Sequence, residues 1–247
     1  MVIAVAGKGG VGKSTISALI VRRLLELKNK PVLAVDADPN STLGDKLGVL
    51  VDCTIGDLRE EAMQQKHEAP AGVPKQRAIE NQVQQAIMEG SGFDLLVMGR
   101  GEGPGCYCSV NNMLRAFLEN LSVGYKHIII DNEAGMEHLS RRTNAKIDLM
   151  LVVCDPTPTG MMTARRIAGL AKSLGVVRGK MGLVINRSNT PVTPETSLDA
   201  TGLELQGCVP EDTLVQEFEL NGKPILGLPA ESLAVNAVNA IMANNGL

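Results

Sequence analysis

Short apolar runs alternate with longer amphipathic segments along the chain. Seven of these runs consist mainly of Val, Ile and Leu in unbroken order, which is typical of strands covered on both faces of a sheet. They lie at residues 2–6, 32–35, 95–98, 127–130, 149–154, 181–185 and 205–209. Because helical patterns separate them, we predict an α/β fold with a mostly parallel sheet of seven or eight strands flanked by helices.

Two amphipathic segments have helical spacing. In residues 14–27 the apolar side chains recur on one side of a helix, and residues 232–242 show the same spacing. Two other segments interrupt the alternation. Residues 59–92, rich in Gln, Glu and Lys, are expected to form a surface insertion with helical pieces, and residues 188–203 a loop with a weak helix. We therefore expect a single domain over residues 1–247.

The charge balance argues against two classes of partner. The chain has 24 Lys and Arg against 27 Asp and Glu, a net charge of −3, and only 2% aromatic residues. Non-specific nucleic-acid binding needs an excess of basic side chains and aromatic stacking platforms, so we expect no nucleic-acid partner. The helix predicted at 232–242 has no Lys or Arg with which to bind a membrane surface, so we expect no membrane partner either.

The sequence shows no pattern of a targeting or membrane-spanning segment. It enters an apolar strand pattern at residue 2 without a basic flank, and no apolar run approaches the roughly 20 residues of a spanning helix. Its five cysteines are an odd number without a secretory signal, as is typical of reduced thiols. We therefore expect a cytoplasmic protein.

A glycine-rich loop follows the first predicted strand and opens the first predicted helix. The loop GKGGVGKST places Gly7, Gly12, Lys13 and Ser14 in the pattern G-x-x-x-x-G-K-[ST]. Glycines let successive backbone N–H groups converge on an anion, and the amino end of the helix adds partial positive charge. The Lys13 ammonium can reach the β- and γ-phosphates, and the Ser14 hydroxyl can bind Mg²⁺. The loop predicts binding of a nucleoside triphosphate.

A pair of carboxylates follows the second predicted strand. Asp36 and Asp38 are two residues apart in VDADPN, so both can face the same side of an extended segment. The carboxyl ends of parallel strands meet at one edge of a sheet, which is where open α/β folds bind ligands. We expect both carboxylates to lie near the phosphates.

Lys8 gives the loop a second lysine. With it, the sequence resembles the deviant Walker A ATPases, the family that includes MinD, ParA, the arsenical-pump ATPases and the nitrogenase iron protein. In that family the extra lysine crosses a dimer interface to the partner's nucleotide. The resemblance implies Mg²⁺-dependent hydrolysis of ATP to ADP and phosphate by a homodimer, with Lys8, Lys13 and Asp38 as catalytic residues.

The resemblance also assigns the nucleotide-binding loop and the magnesium site. The loop residues that would bind ATP or ADP are Gly9, Gly10, Val11, Gly12, Lys13, Ser14 and Thr15. Ser14 would bind Mg²⁺, Asp36 would hold it through water, and Asp38 would position the attacking water. Asp131, at the end of the fourth predicted strand, would hold Mg²⁺ through water.

Later motifs follow in the same order as in the family. Asp131 opens the segment DNEAG, in which Gly135 would sense the γ-phosphate. Asn186, which ends the sixth predicted strand, would contact the base. Pro210 and Glu211, after the seventh, would belong to the loop on the other side of the base.

Two cysteines stand close together in GEGPGCYCSV, after the third predicted strand. Cys106 and Cys108 are two residues apart, so in an extended segment both sulfurs can meet one ion. Two thiolates are half of a four-ligand site for a soft metal, and a dimer axis could bring two such pairs together. Two unremarkable thiols and a redox pair are the alternatives, although C-x-C closes a tight ring for a disulfide. We leave His67, His127 and His138 outside the predicted site.

The cysteine pair and the segment DNEAGMEHLSR, which begins at Asp131, together resemble one subfamily. These are the CooC-type accessory ATPases, which assist nickel insertion into carbon monoxide dehydrogenase, with a relative that serves acetyl-CoA synthase. The resemblance implies that Cys106 and Cys108 bind Ni²⁺ jointly across the dimer, with Zn²⁺ as a competitor, and that the partner is one of those two apo-enzymes.

Two other functions stay open at this point. A nitrogenase-iron-protein-like ATPase would hold an iron–sulfur cluster through cysteines that are well separated in the chain, unlike Cys106 and Cys108. A MinD- or ParA-type positioning ATPase would bind DNA or a membrane, for which the sequence offers few basic residues.

Overall fold

The predicted strands pair into one sheet. The computed structural model describes residues 1–64, 84–99, 124–132, 147–189 and 192–247. Its strands are β1 (Val2–Gly7), β2 (Val32–Ala37), β3 (Ile87–Glu89), β4 (Asp94–Val97), β5 (His127–Asn132), β6 (Ile147–Cys154), β7 (Val177–Asn186) and β8 (Glu204–Val209). Within the described ranges they form an eight-stranded sheet in the order β3-β4-β2-β5-β1-β6-β7-β8. Every neighbouring pair is parallel except β3 and β4, which confirms the predicted fold class.

One strand was not predicted from the apolar runs. β3 lies within residues 59–92, which we expected to form a surface insertion, and it pairs antiparallel with β4 at the sheet edge. Ala86, just before it, is fully buried. A three-residue strand has too few positions to show a period, so the pairing with β4 decides its structure. Residues 65–83 of the same segment lie outside the described residues.

The helices lie between the strands as the pattern predicts. They are α1 (Lys13–Glu26), α2 (Leu43–Leu47), α3 (Ile55–Gln64), α4 (Pro158–Leu174), α5 (Pro194–Thr201), α6 (Thr213–Leu220) and α7 (Leu233–Asn244), with a 3₁₀ turn at Ile225–Gly227. The helices predicted at 14–27 and 232–242 are confirmed as α1 and α7. The short helix α5 occupies part of the predicted loop at 188–203.

Both faces of the sheet are covered. In β1, Ile3 and Val5 belong to the apolar cluster that also contains the buried residues of α1 and α7. Ala4 and Ala6 belong to the cluster on the opposite face, which contains the buried residues of α4. Burial on alternate sides explains why the strand is apolar at successive positions. None of the helices in the described part of the chain is long and apolar enough to cross a membrane.

Candidate functional site

The glycine-rich loop connects the end of β1 to the start of α1 at the carboxyl edge of the sheet. Gly10 and Gly12 have φ angles of 78° and 91°, in the left-handed region that favours glycine. A Cβ atom on Gly12 would also collide with the side-chain amide of Asn186. Asn186, at the end of β7, donates a hydrogen bond from Nδ2 to the Val11 carbonyl at 2.7 Å. Asn186 therefore packs directly against the loop.

The two lysines of the loop have different environments. Lys13 is buried, and its Nζ lies 3.3 Å from the Lys8 carbonyl oxygen, to which it donates a hydrogen bond across the loop. Lys8 is exposed to solvent. The Lys13 ammonium is therefore held inside the loop, whereas the Lys8 side chain is available to a group outside the protomer.

Behind the loop lie two buried carboxylates. Asp36 in β2 and Asp131 in β5 are partners in the sheet register, and both side chains are inaccessible to solvent. Burial raises the pKa of Asp36 to about 7 and that of Asp131 to about 6, because a charge is disfavoured away from water. The Asp36 oxygens accept hydrogen bonds from the backbone N–H groups of Asp38 and Leu43, at 3.0 and 2.9 Å.

Asp131 has one oxygen that is not satisfied. Its Oδ1 accepts a hydrogen bond from the Ser17 hydroxyl at 3.2 Å, but Oδ2 is buried and has no partner in the described part of the chain. A buried oxygen without a donor is costly unless a further group binds there. The Ser14 hydroxyl accepts a hydrogen bond from Thr42 at 3.0 Å. It also lowers the pKa of Asp131 and so offsets part of the rise that burial causes.

These oxygens fit a magnesium ion. Mg²⁺ prefers hydroxyl, carboxylate and water oxygens and commonly retains several waters. Ser14 and Asp131 would be the residues to hold it, with Asp36 next to them. The ion would supply positive charge against the phosphates there.

Asp38 lines a cavity over the glycine-rich loop, here called the main cavity, but its carboxylate is bound to its own turn. Its Oδ1 accepts hydrogen bonds from the backbone N–H and the side-chain amide of Asn40, at 2.9 and 3.0 Å. The carboxylate is therefore held by the turn after β2, next to the cavity.

A cavity of about 870 Å³ lies over the loop, large enough for a nucleotide. Its lining includes Gly9, Gly10, Gly12, Lys13, Ser14, Thr15, Asp38, Thr42, Lys46, Arg187, Glu219 and Lys223. A second cavity of about 60 Å³ is lined in part by the three residues predicted to lie around the base, Asn186, Pro210 and Glu211. Gly12, Thr15, Arg187 and Glu219 line both cavities, so the two are adjacent.

Several residues of this site were not predicted. Arg187 donates a hydrogen bond to the Gly10 carbonyl at 3.2 Å, and Thr42 contacts Ser14. Lys46 and Glu219 form an ion pair at the cavity. Arg187 comes directly after Asn186, a predicted base contact, so its place in the sequence could have indicated it. The ion pair between α2 and α6 has no signal in the sequence.

Part of the predicted site cannot be compared with the structure. Cys106, Cys108 and Gly135 lie outside the described residues, as do His67 and His138. Within the described ranges no group of three or more His, Cys, Asp or Glu side chains could hold a metal ion. The cysteine pair stays a prediction from the sequence.

Comparison with known proteins places the chain among nucleotide-binding proteins. Residues 2–225 match the family described as the CobQ/CobB/MinD/ParA nucleotide binding domain. The carbon monoxide dehydrogenase accessory protein CooC of Rhodospirillum rubrum is 32% identical over 234 residues, covering 90% of this chain and 88% of CooC. An uncharacterized ATP-binding protein of Methanocaldococcus jannaschii is 41% identical over 249 residues, covering 98% and 96% of the two chains.

Solved structures share the fold. MinD of Pyrococcus horikoshii, in complex with Mg-ADP, superposes with a TM-score of 0.68 at 21% identity, covering 99% of this chain and 95% of that one. A ParA family ATPase from Chlorobium tepidum gives a TM-score of 0.72 at 19% identity, covering 100% and 99%.

Proposed function

Since the chain belongs to the CobQ/CobB/MinD/ParA nucleotide-binding family, we propose that it is a Mg²⁺-dependent ATPase that dimerises around nucleotide and delivers nickel to a metalloenzyme. The observation that carries the ATPase part is that the adjacent strands β2, β5 and β1 bring their functional residues together at the carboxyl edge of the sheet. There the buried Lys13 lies in the loop, with Asp36 and Asp131 in register behind it.

In this proposal each group of the site has one task. Lys13 and the loop N–H groups bind the β- and γ-phosphates. Asp38 orients a water molecule whose oxygen attacks the γ-phosphorus, while the bond to the ADP oxygen breaks. Asn186, Pro210 and Glu211 hold the base in the smaller cavity.

The second lysine supports a dimeric enzyme. Lys8 is exposed while the loop glycines line the cavity of the same chain. We propose that its ammonium reaches the phosphates of a partner protomer, as in the family that the sequence resembles. An exposed cation beside a partner's triphosphate would stabilise both the dimer and the charge that develops on the transferred phosphoryl group.

Nickel is the proposed cargo. The support is the 32% identity to CooC, which is named as an accessory protein of carbon monoxide dehydrogenase, together with the sequence CYC at 106–108. One pair of thiolates from each protomer would give four sulfur ligands for a shared ion, which suits Ni²⁺ or Zn²⁺. Nucleotide would set the distance between the two pairs because it controls the dimer, and apo-carbon monoxide dehydrogenase or apo-acetyl-CoA synthase would receive the ion.

Phosphate release tests the ATPase part. The chain is expected to hydrolyse ATP only with Mg²⁺ present, and Lys8→Ala to lower turnover and nucleotide-dependent dimer formation. Lys172→Ala, which removes an exposed lysine of α4, serves as the matched control and is expected to leave both unchanged. If Lys8→Ala behaves like Lys172→Ala, the role across the interface is wrong.

A metal titration tests the cargo. Anaerobically reduced protein should bind one Ni²⁺ per two chains, and Cys106→Ser should remove that binding while Cys53→Ser retains it. Retained tight binding in Cys106→Ser would exclude the pair as ligands. Elution volume in four states (apo, nucleotide, Ni²⁺ and both) then shows whether the two ligands together favour the dimer. A brown anaerobic preparation would instead support an iron–sulfur protein, and co-sedimentation with DNA or liposomes a positioning ATPase.

A further inference from the structure

A single carboxylate joins three helices at the mouth of the main cavity. Glu219, in the last turn of α6, accepts two hydrogen bonds at Oε1: one from the Thr15 hydroxyl at 3.0 Å and one from the Lys46 ammonium at 2.6 Å. Thr15 lies in the first turn of α1, and Lys46 lies in α2. We call this set of contacts the Glu219 bridge.

The bridge lies beside the cavity in which the phosphates are expected. Glu219 and Thr15 line both cavities, so the carboxylate lies where the main cavity adjoins the smaller one. The amino end of α1 attracts anions because its first N–H groups are unpaired within the helix and carry partial positive charge. The Glu219 carboxylate is therefore an internal anion bound next to the first turn of α1.

The surroundings keep this carboxylate charged. Partial burial disfavours the charge, but the hydrogen bond and charge of Lys46, the Thr15 hydroxyl and the charge of Arg187 outweigh it and hold the pKa of Glu219 below its ordinary value. Each of these cations and donors also lines the main cavity and could serve a phosphate oxygen instead. A triphosphate and the Glu219 carboxylate thus need the same partners and repel each other.

We propose that Glu219 is an internal competitor of the nucleotide: its carboxylate and the phosphates compete for Thr15 and Lys46, and phosphates that bind displace the carboxylate and take over Lys46. This inference rests on the proposed nucleotide binding and adds a regulation of that same site. Displacement breaks the link between α2, which follows the Asp38 turn, and α6, which follows the Pro210–Glu211 loop. Phosphates therefore change the contact between two segments that border the nucleotide.

Nucleotide affinity measures the competition directly. The experiment is titration of wild type and variants with Mg-ADP by calorimetry at low salt. Glu219→Gln retains the shape of the side chain but removes its charge, so we expect Mg-ADP to bind about three- to tenfold tighter. Glu217→Gln, an exposed carboxylate on the same helix, is the matched control and is expected to bind as wild type does. The gain should shrink at high salt because exposed charges are screened.

Lys46 gives a second and independent measurement. Lys46→Met leaves Glu219 without its ion-pair partner at the cavity and removes a phosphate partner, so we expect Mg-ADP to bind several-fold more weakly. In the Lys46→Met background, Glu219→Gln should tighten binding by a larger factor than it does in wild type, because no ammonium from Lys46 then offsets the carboxylate. An equal factor in both backgrounds would show that the two residues do not act on the nucleotide together.

The outcomes separate this inference from the proposed function. If wild type binds no Mg-ADP at all, the proposed function fails and the inference fails with it. If wild type binds Mg-ADP but Glu219→Gln binds equally or more weakly, the inference alone is overturned, and weaker binding would identify Glu219 as a ligand of the nucleotide. Far-ultraviolet circular dichroism of each variant verifies that the fold is retained.

Discussion

Asp36 and Asp131 are register partners on the adjacent parallel strands β2 and β5, and both carboxyl groups are buried directly behind the phosphate loop. Their pKa values rise to about 7 and about 6, chiefly because burial disfavours the charged form. Two buried acids at this position cost free energy. In the proposed function, binding of Mg²⁺ and nucleotide would offset that cost.

Asp131→Asn is expected to stabilise the nucleotide-free chain and to impair Mg²⁺-dependent turnover. The pKa of Asp131 is raised in the folded state, so the carboxylate destabilises the fold at neutral pH, and an uncharged amide should gain about 1 to 3 kcal/mol. The gain should diminish as the pH falls through 6, since the wild-type acid then becomes protonated. Denaturant unfolding at pH 7.5 and 5 measures the stability gain and its pH dependence, and phosphate release measures the turnover.

Ser17→Ala is expected to change stability in the opposite direction to Asp131→Asn, at the same carboxylate. It removes the hydroxyl that donates to Asp131 Oδ1 and should destabilise the chain by about 1 kcal/mol at pH 7.5. A stability loss in Asp131→Asn would contradict the conclusion that the buried charge of Asp131 destabilises the fold.

Lys13→Met is expected to reduce ATP turnover by at least about 100-fold, since the variant retains an unbranched side chain of similar length but lacks the ammonium that binds the phosphates. Lys13→Arg should not restore turnover, because a planar guanidinium does not fit the space of a buried ammonium that donates to the Lys8 carbonyl. Phosphate release under saturating Mg-ATP measures the effect, and turnover near the wild-type rate in Lys13→Met would exclude this lysine from the chemistry.

Gly12→Ala should destabilise the chain by about 2 kcal/mol, because φ is 91° and the new Cβ would meet the Asn186 amide. Gly9→Ala is the comparison within the same loop. A Cβ at Gly9 meets nothing within 4 Å, so the expected change is within about 0.5 kcal/mol. Thermal unfolding of both variants measures the difference, and equal losses would contradict the loop geometry.

The buried side chain of His127 is expected to make a destabilising contribution to the fold in mild acid. The side chain is buried, and neither ring nitrogen has a hydrogen-bond partner in the described part of the chain. Burial, followed by the charges of the chain's amino terminus and Lys126, lowers its pKa to about 4. The unfolded chain binds this proton near pH 6.5 and the folded chain does not, so the contribution of His127 to stability should fall by about 1 to 2 kcal/mol between pH 7.5 and 5. Asp36 and Asp131 act in the opposite direction, because their raised pKa values make the folded state take up protons first.

His127→Leu isolates that contribution from the other buried groups, which titrate in the same range. Between pH 7.5 and 5, the free energy of unfolding of the variant should change by about 1 to 2 kcal/mol more in the stabilising direction than that of wild type, as measured by urea unfolding. An identical change in both proteins would show that His127 does not stay neutral in the folded state.

The sequence by itself determined the architecture and the phosphate loop. Both depend on local patterns. Unbroken apolar runs such as residues 149–154, separated by helical patterns, are typical of strands covered on both faces. The loop from Gly7 to Ser14 has a fixed spacing that requires glycine at its left-handed position Gly12. Residues in such segments are close in the chain, so their pattern can be read without the fold.

Only the tertiary structure decided the contacts between distant segments. The edge strand β3 is too short to show a period and exists because β4 offers it unpaired backbone groups. The register that brings Asp36 beside Asp131 and the bridge from Glu219 to Thr15, 204 residues apart, depend on how strands and helices pack. No periodicity encodes such pairs, because each side chain is equally compatible with an exposed position until the fold brings its partner within hydrogen-bonding distance.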